Sequence, residues 1–431
     1  MLCDRYMKNP KKGLIIVHSK THSRVLLPYV KRLHELNFPL SFIFTRDECK
    51  DLVVDYPKSE NLFCLFNHDK YIKKDSKFKF LRVVYLIVWL MKLNNLCKLL
   101  MKKYDPDFVI LSSDRYFELG LMIGKYCKDF DIPSYVLGID YFYVEQFECY
   151  YTKFRKPLLR SNPVHMLICR LFKDQVFEVK DFFLIFYRPY IILILKLLNL
   201  LPRKPFLSGY DYSMYVLVDC EKTRDVYLDH GADIKKIKVF GLLDHDTIFN
   251  NTISPVRDSS EDLVIVALPQ LNEHNLLNKA DHFNEIRYLV SEIAQYSTNL
   301  LVSLHPKMNI NDYLFLENLY NVKISDESLI NIIHHAKIFI STYSSTVLWS
   351  IALGIPSIIV DFYNLNYSYY KSFKGVNKFT KRDDFKKFLK EILTFSELYE
   401  SNRKIQLQDS QDVAKLDGAT MYRFVELINK K

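Results

Sequence analysis

The segment IFISTYSSTVLWSIALGIPSIIVDF (338–362) indicates the fold class most clearly. It opens with an apolar run (338–342), continues with a run of helix-like spacing (343–354), and ends with a second apolar run (355–362). A buried strand, a helix and another buried strand in this order form a βαβ unit, in which the two strands are parallel. The segment therefore predicts an α/β protein with a parallel sheet.

The rest of the second half repeats this alternation. Further strands are predicted at LVIVALP (263–269), NLLVSLHP (299–306) and VKISD (322–326), with helical patterns between them. The tail from Lys381 also has a helical pattern. We therefore predict one Rossmann-like domain over 263–431.

The first half has the same architecture with one interruption. Its predicted strands are GLIIVHS (13–19), LSFIFT (40–45), FVILSS (108–113), SYVLGID (134–140), MYVLVDC (214–220) and KIKVFG (236–241). The stretch 141–208, rich in Tyr, Phe, Arg and Pro, breaks the rhythm. The polar stretch NNTISPVRDSSED (250–262) is typical of a linker. The sequence thus predicts a first Rossmann-like domain over 1–249, with a basic and apolar insertion near 141–208, followed by the linker.

The composition argues against several classes of protein. Hydrophobic residues make up 49% of the 431 residues and charged residues 26%, which is a globular balance. The formal net charge of +10 favours phosphate-rich partners, which are nucleotides, nucleic acid or anionic lipid. We predict no nucleic-acid partner, because the sequence has no zinc finger, RNP-type aromatic strand or arginine-rich arm. The 8 cysteines are scattered without metal-ligand spacing, so neither a metal nor a cofactor is predicted.

Two apolar stretches with basic flanks, 80–103 and 188–204, suit the surface of an anionic membrane. Arg82 and Lys92 interrupt the first stretch, and the second, which contains Lys196, is shorter than the ~20 apolar residues of a membrane span. No secretory signal is found, so we expect a cytoplasmic enzyme that associates peripherally with the inner face of the cell membrane. The alternative is that each stretch is a core helix whose Lys and Arg side chains snorkel to the surface.

Hydroxyl side chains follow the strand at 338–342, where a helix begins. Open α/β sheets bind ligands at the carboxyl ends of their strands, and a helix N-terminus there offers N–H groups to a phosphate. The candidates for binding a phosphate are Ser341, Ser344, Ser345 and Thr346. Ser and Thr are also the preferred helix caps, so capping alone is the alternative explanation.

Two more loops follow strands of the same predicted sheet. His305, Pro306 and Lys307 end one strand: His305 can donate to a phosphate or a base, Pro306 fixes the turn, and Lys307 adds charge. Gln270 follows the first strand of the second half. The alternatives are a structural histidine and an exposed loop.

The order LVIVALPQ, LVSLHPK and ISTYSSTVLWSIALGIPSIIVDF resembles the nucleotide-binding half of glycosyltransferase-B enzymes. It looks closest to bacterial sialyltransferases and to capsule transferases for Kdo-like sugars. The likeness spans 263–362, whereas the first half is similar mainly in the order of its elements. It implies two Rossmann-like domains that face each other across a cleft, the first of which binds the acceptor.

The resemblance also implies how the donor is held. In that family a His-Pro motif and a Ser/Thr-rich motif bind a CMP-linked sugar, and the histidine contacts the donor phosphate and assists the departure of CMP. His305 and Pro306 match the first motif, and residues 344–346 match the second.

The catalytic base is where the sequence departs from the family. Many relatives carry an acidic pair followed by Gly, or Gln-His-Gly, at the cleft face of the first domain, but the matching strand here ends in Gly138-Ile139-Asp140. An inverting transfer needs a carboxylate or a histidine near the acceptor hydroxyl. We predict Asp140 as the base. Other candidates on the acceptor side, at predicted loop ends, are Asp114, Glu118 and His22.

These features predict an inverting, nucleotide-sugar-dependent glycosyltransferase that moves a sugar onto a surface glycan. The expected donor carries a CMP-linked sialic acid or Kdo-like sugar. The expected acceptor is a glycan or lipid-linked glycan of capsule, lipooligosaccharide or O-antigen. Three alternatives stay open: a UDP-sugar 2-epimerase of the same fold, a CDP-polyol phosphotransferase, and a non-catalytic scaffold subunit. Incubation with CMP-, UDP- and CDP-linked donors distinguishes them.

Overall fold

The computed structural model describes most of the chain. The described residues are 10–18, 20–45, 59–61, 79–115, 118–137, 158–178, 182–253, 262–272, 277–305, 308–325, 327–366 and 369–430. Within them, only the backbone is described for 20–25, 59–61 and 79–82. These residues form two α/β domains.

A parallel sheet lies at the centre of the first domain. The strands in chain order are β1 (Gly13–Val17), β2 (Leu40–Phe44), β3 (Ser59–Asn61), β4 (Phe108–Leu111), β5 (Ser134–Leu137), β6 (Leu158–Leu159), β7 (Val176–Glu178), β8 (Phe182–Ile185), β9 (Tyr215–Val218) and β10 (Ile237–Val239). Seven of them form the parallel sheet, in the order β10-β9-β5-β4-β1-β2-β3. β6, β7 and β8 form a small antiparallel sheet. All residues of β1, β4 and β5 are buried, as expected when helices cover both faces.

Helices lie on both faces of this sheet. They are α1 (Lys20–Glu35), α2 (Lys79–Tyr104), α3 (Leu119–Asp129), α4 (Pro163–Leu171), α5 (Pro189–Leu197), α6 (Glu221–Asp229) and α7 (Leu243–Ile253). Alternate residues of β1 divide between two apolar clusters, since successive side chains of a strand point to opposite faces. α2, α3 and α5 pack on one face with Leu14 and Ile16, and α1 packs on the other with Ile15 and Val17.

The second domain repeats the arrangement. Its strands are β11 (Val264–Ala267), β12 (Leu300–Ser303), β13 (Lys323–Ser325), β14 (Ile338–Ser341), β15 (Ser357–Val360) and β16 (Val376–Phe379). They are parallel, in the order β13-β12-β11-β14-β15-β16. The helices are α8 (Lys279–Ala294), α9 (Phe315–Tyr320), α10 (Leu329–Ile332), α11 (Thr346–Ala352), α12 (Arg382–Thr394), α13 (Ser396–Asp409) and α14 (Thr420–Asn429). The predicted architecture of two parallel-sheet α/β domains is confirmed.

The last helix, α14, belongs to the core of the first domain. The Phe424 ring packs edge-on against Tyr29, Tyr135 and Phe240, with centroid distances of 5.8, 5.8 and 5.3 Å. The sequence-based boundary, which assigned all of 263–431 to the second domain, therefore differs from the structure at its end. An amphipathic helix buries its apolar side wherever a complementary face is available, and here that face is the α1 side of the first sheet.

The predicted linker over 250–262 is partly helical. α7 extends to Ile253 and contacts α10 of the second domain, so the crossing between the domains begins as an ordered helix. Residues 254–261 lie outside the described part. The described portion of the predicted insertion, from residue 158 to 208, contains α4, α5 and the antiparallel sheet.

α2, which corresponds to the apolar stretch 80–103, differs from expectation in its suitability as a membrane span. By length and composition alone, Val83–Tyr104 could cross a membrane, whereas the sequence analysis treated the basic residues as interrupting the stretch. Of its most apolar window, 33% is buried. One side of α2 belongs to the core of the first domain, where Leu86, Trp89, Leu90 and Leu93 are buried.

Candidate functional site

The strand order of the second sheet reverses between β11 and β14. The chain runs outward from β11 to β12 and β13, then returns to β14 on the other side of β11. Ligands of open α/β sheets bind in the crevice at such a switch point, outside the carboxyl ends of the strands. Gln270 follows β11, residues 344–346 follow β14, and His305 follows the neighbouring strand β12. The fold therefore brings three of the predicted loops to one edge.

The hydroxyl groups after β14 have distinct surroundings. Ser341 is buried as the last residue of the strand. Ser344 Oγ accepts a hydrogen bond from the Thr346 N–H (3.3 Å) and shares another with Thr346 Oγ1 (2.9 Å). Ser345 is exposed at the N-cap of α11, where its side chain makes no capping bond to the described residues. Ser344 thus bonds to the start of α11, whereas Ser345 is exposed at the carboxyl edge of the sheet.

A network that the sequence analysis missed holds this loop in place. The Tyr370 hydroxyl donates to the Ser344 carbonyl oxygen (2.7 Å), and the Tyr343 hydroxyl donates to Asp361 (3.2 Å). Asp361 is fully buried after β15 and accepts from two backbone N–H groups of its own loop (2.8 and 2.9 Å). Its position directly after the apolar strand SIIV was the signal available in the sequence.

His305 and Gln270 offer polar groups at the same edge. His305 is exposed, and its carbonyl oxygen accepts from the Met308 N–H (2.8 Å). The Nε2 atom of Gln270 is buried and has no hydrogen-bond partner among the described residues. A buried amide that lacks a partner is costly, so this group suits a ligand or a water molecule. Pro306 and Lys307 lie outside the described residues.

A polar cavity of about 400 Å³ lies at the same edge, beside the carboxyl ends of β15 and β16. Asp281, Glu285, Tyr363, Thr380 and Arg382 contribute polar groups to its wall. Arg382 pairs with Glu285 (2.5 Å), and the Tyr363 hydroxyl donates to the same carboxylate (3.3 Å). Because the one arginine in the wall is paired, the cavity suits neutral hydroxyl groups better than a phosphate. Among the described residues, no group of three His, Cys, Asp or Glu side chains could hold a metal ion.

The first sheet has its own switch point, between β1 and β4. His18 directly follows β1 and is 6% exposed, and Ser112 directly follows β4. The His18 backbone N–H donates to Ser112 Oγ (3.2 Å), and His18 Nδ1 forms a hydrogen bond with the same oxygen. His22, which lies in the first turn of α1, was predicted from the sequence, whereas His18 was not. The signal was its place immediately after the last apolar residue of the strand.

Asp114 has a structural role that the sequence analysis did not anticipate. Its buried carboxylate accepts from the Gly209 N–H (2.7 Å), the Ser213 N–H (3.1 Å) and the Ser213 hydroxyl (2.8 Å). These bonds attach the end of the insertion to the first sheet and occupy the carboxylate. The geometry therefore does not support Asp114 as an acceptor-side residue.

Of the other predicted acceptor-side residues, the side chain of Glu118 alone is among the described residues. Glu118 is half-buried at the N-cap of α3, and its side chain makes no capping bond. His22 lies in α1, but its side chain is outside the described part. Asp140, three residues beyond β5, is also outside it.

Lys222 joins the carboxyl edges of the two sheets. It lies in the first turn of α6, just after β9, and its Nζ donates to the Tyr369 carbonyl oxygen (2.8 Å) and to Ser372 Oγ. The same atom lies 3.6 Å from the centroid of the Phe373 ring. Burial lowers the pKa of Lys222 from 10.5 to about 8. Since Tyr370 in the same turn holds the hydroxyl loop, this contact connects the first domain to the crevice of the second.

Comparisons with known proteins agree on the fold. No protein-family model and no curated protein matches the sequence. The UDP-GlcNAc 2-epimerase of Neisseria meningitidis, solved with UDP-GlcNAc, is similar with a TM-score of 0.53 and 11% identity over 97% of this chain and 100% of that one. The calicheamicin glycosyltransferase CalG4 is similar with a TM-score of 0.55 and 12% identity over 98% of both chains. The glycosyltransferase of kitacinnamycin is similar with a TM-score of 0.53 and 10% identity over 98% of this chain and 99% of that one.

Identities this low show the fold alone. The resemblance to sialyltransferases and Kdo-type transferases stays a prediction. The chain has the two-domain fold shared by glycosyltransferase-B enzymes and UDP-GlcNAc 2-epimerases.

Proposed function

We propose that the protein is a nucleotide-sugar-dependent glycosyltransferase whose donor nucleotide binds at the carboxyl edge of the second sheet. One observation carries the proposal. Gln270, His305 and the hydroxyl loop 344–346 follow three adjacent strands at the switch point. Hydroxyl, imidazole and amide donors together suit the phosphates and base of a nucleotide.

The donor side neutralises the leaving group in this proposal. As the bond between the sugar and the phosphate breaks, negative charge grows on the nucleotide phosphate. His305, the Ser345 hydroxyl and one of the paired Ser344 and Thr346 hydroxyls donate to that phosphate, and Lys307 adds a positive charge. The sugar occupies the polar cavity beside β15 and β16.

The identity of the donor nucleotide is a more specific part of the proposal. The resemblance of the His-Pro and Ser/Thr motifs supports a CMP-linked sialic acid or Kdo-like sugar. The similar structures argue equally for a UDP-linked donor, because the Neisseria epimerase was solved with UDP-GlcNAc.

On the acceptor side, we propose His18 as the general base. Ser112 Oγ has two acceptor sites, which the backbone N–H of His18 and its Nδ1–H can both use. In that tautomer, Nε2 takes the proton of the acceptor hydroxyl as the new bond to the sugar forms. Ser112 then plays the part of the group that orients a catalytic imidazole. Asp140 stays the competing prediction for this role.

The proposed acceptor is a hydroxyl of a surface glycan or lipid-linked glycan, such as capsule, lipooligosaccharide or O-antigen. This part rests on the family resemblance. It is supported by the position of His18 at the carboxyl edge of the first sheet.

The second candidate function is a UDP-sugar 2-epimerase. It is supported by the similar structures of UDP-GlcNAc 2-epimerases. An epimerase would need acid and base groups on one bound sugar, whereas a transferase uses a base facing a second substrate.

A donor screen tests the proposal. The protein is incubated with CMP-sialic acid, CMP-Kdo, UDP-GlcNAc and CDP-glycerol, each with and without a glycan acceptor, and products are identified by mass spectrometry and NMR. Sugar transfer, or slow hydrolysis of one sugar donor, supports the transferase. Conversion of UDP-GlcNAc to its 2-epimer would favour the epimerase, and transfer of glycerol phosphate would favour the polyol phosphotransferase. Absence of binding to all four would favour the scaffold.

A further inference from the structure

Three helices of the first domain expose apolar side chains in regular strips. Among the exposed apolar residues of α2, α4 and α5 are sets that recur at spacings of three, four or seven, which places each set along one side of its helix. They are Tyr85 (52% exposed), Val88 (43%) and Met91 (56%) on α2, Val164 (63%), Leu167 (56%) and Leu171 (64%) on α4, and Leu193 (57%) and Leu197 (81%) on α5. We call these side chains the apolar strips.

The opposite sides of the helices fix them to one face of the domain. Leu90 of α2 and Ile192 and Leu195 of α5 are fully buried in the same cluster, and Phe172, which directly follows α4, packs against it. The other face of the first sheet is covered by α1 and α14. The strips are therefore outer surfaces of packed helices on the same side of the sheet.

The Asp, Glu, Lys and Arg residues within these three helices are of one sign. The sequences of the three helices contain no Asp or Glu. Their basic residues are Lys79, Arg82, Lys92, Lys98, Lys102, Lys103, Arg170 and Lys196. Outside the helices, Arg188 precedes α5 and Arg203 follows it. In a chain with 60 basic and 50 acidic residues, such a segregation selects a partner with negative charge and an apolar interior.

We propose that the apolar strips and their basic flanks dock the first domain on an anionic lipid bilayer. The apolar side chains enter the boundary between headgroups and acyl chains, and the Lys and Arg side chains pair with anionic headgroups. This inference stands on the surface alone and does not depend on the proposed transferase activity.

The packing of α2 argues for docking rather than spanning. Val83–Tyr104 has the length of a span, since 22 residues of helix extend about 33 Å. Removing α2 into a bilayer would expose the first sheet where Leu86, Trp89 and Leu93 now cover it. A helix that completes a core can contribute only its outer side to a membrane.

Vesicle sedimentation of the full chain tests the proposal. We expect binding to vesicles of phosphatidylcholine mixed with phosphatidylglycerol, and at least about tenfold weaker binding to phosphatidylcholine alone, as each basic group near an anionic surface adds affinity. High salt should weaken the binding, because it screens exposed charges. Equal binding to both vesicles, or none to either, would overturn the proposal.

Variants test whether the apolar strips and their basic flanks form the docking surface. Leu167→Gln with Leu193→Gln should reduce vesicle binding about tenfold or more, and Lys98→Gln with Lys102→Gln should do so mainly on anionic vesicles. Circular dichroism checks that each variant is folded. The matched controls are Leu319→Gln on α9 and Lys387→Gln on α12, exposed residues of the second domain that should leave binding unchanged.

Three further results would count against docking of the strips on lipid. Protein that stays with membranes through a carbonate wash would indicate a spanning helix. Controls that lose vesicle binding as strongly as the α4 and α5 variants would show that the strips are not the docking surface. Stable capture of one acidic protein through the strips, with no vesicle binding, would replace the lipid with a protein partner. Each of these results contradicts the proposal.

Discussion

The two switch points of the molecule have the same topology and different chemistry. Between β1 and β4, the chain places a buried imidazole, His18, held by the Ser112 hydroxyl. Between β11 and β14, it places an exposed hydroxyl on Ser345 and, one strand away, the exposed His305. One edge fixes a single side chain in place, and the other offers several donors to solvent.

This difference matches the two tasks of a transferase. A general base must be aligned with one acceptor hydroxyl, and alignment requires a side chain whose orientation is fixed. A nucleotide with phosphates needs several donors on an open surface that it can enter and leave. The comparison therefore predicts that damage at the first edge slows turnover and that damage at the second edge weakens nucleotide binding.

The largest effect is expected at the first edge. His18→Asn should lower turnover about 10²–10⁴-fold, the usual range for loss of general-base assistance, while leaving the nucleotide affinity within about twofold. Steady-state kinetics with saturating donor and acceptor measures this effect. Near-normal turnover in His18→Asn would remove His18 from the mechanism.

Two further variants sharpen that result. Ser112→Ala should lower turnover by a smaller factor than His18→Asn, because the imidazole is kept and only its orientation is lost. Asp140→Asn should retain most of the turnover if His18 is the base. A large loss in Asp140→Asn together with an active His18→Asn would return the role to the residue predicted from the sequence.

The helix α7, which leads from the first domain to the second, carries a histidine that should make the stability of the fold depend on pH. His245 on α7 is 1% exposed, and neither ring nitrogen has a hydrogen-bond partner among the described residues. Burial lowers its pKa from 6.5 to about 4, so the folded protein keeps it neutral where the unfolded chain binds a proton. Stability from this group is therefore complete above pH 6.5 and is lost as the pH falls toward 4. The loss is about 3 kcal/mol at 1.36 kcal/mol per pH unit.

Denaturant unfolding of the wild type and of His245→Leu between pH 7 and pH 4 isolates this contribution. The carboxylates of both proteins titrate alike, so the difference between their unfolding free energies should shift by about 3 kcal/mol in favour of the variant as the pH falls. His230→Gln is the control, since His230 Nδ1 already pairs with the Val226 carbonyl oxygen (2.8 Å). If the difference in unfolding free energy between the two proteins stays constant with pH, burial does not lower the pKa of His245.

A smaller effect is expected at the second edge. His305→Ala should lower kcat/KM for the donor at least tenfold, about 1.4 kcal/mol, because one donor to the leaving phosphate is lost. The loss should lie mainly in the nucleotide affinity, in contrast to His18→Asn. His335→Ala is the control, since His335 ends a short 3-10 helix that precedes β14. Unchanged donor kinetics in His305→Ala would show that His305 does not contact the donor and would contradict a donor site at this edge.

The smallest effect concerns the support of the hydroxyl loop. Tyr370→Phe removes the bond to the Ser344 carbonyl oxygen and should raise the donor KM about threefold, since one hydrogen bond contributes about 0.5–1.5 kcal/mol. Tyr422→Phe, on the exposed side of α14, should have no effect. An equal rise in both variants would argue against a specific role for Tyr370.

The fold was predictable because strands buried on both faces form uninterrupted apolar runs. GLIIV, FVIL and IFIS each appear in the sequence as such a run and in the structure as a central strand. The edge strand β16, VNKF, is only partly buried and half-polar, so it forms no apolar run and was not predicted. The apolar pattern of α14 predicted a helix correctly, but periodicity cannot indicate which domain the helix packs on.

Only the part of the candidate site that lies on the second domain was predictable from the sequence. Hydroxyl residues immediately after a strand are a strong local signal, and 344–346 do lie at a switch point. The first half depends on strand order, because β1 and β4 become neighbours only after the chain has passed through β2 and β3. His18 directly follows a strand, but Ser112, the residue that holds it, follows another strand 94 residues away. The structural bonds of Asp114 could not be predicted, because its partners, Gly209 and Ser213, are about a hundred residues away in the sequence.

The most direct test of the account is calorimetric binding of CMP, UDP and CDP to the wild type, His305→Ala and His18→Asn. The account predicts that one nucleotide binds the wild type, that His305→Ala binds it at least about tenfold more weakly, and that His18→Asn binds it as the wild type does. Equal weakening in both variants, or no binding of any nucleotide to the wild type, would contradict the assignment of the nucleotide to the carboxyl edge of the second sheet.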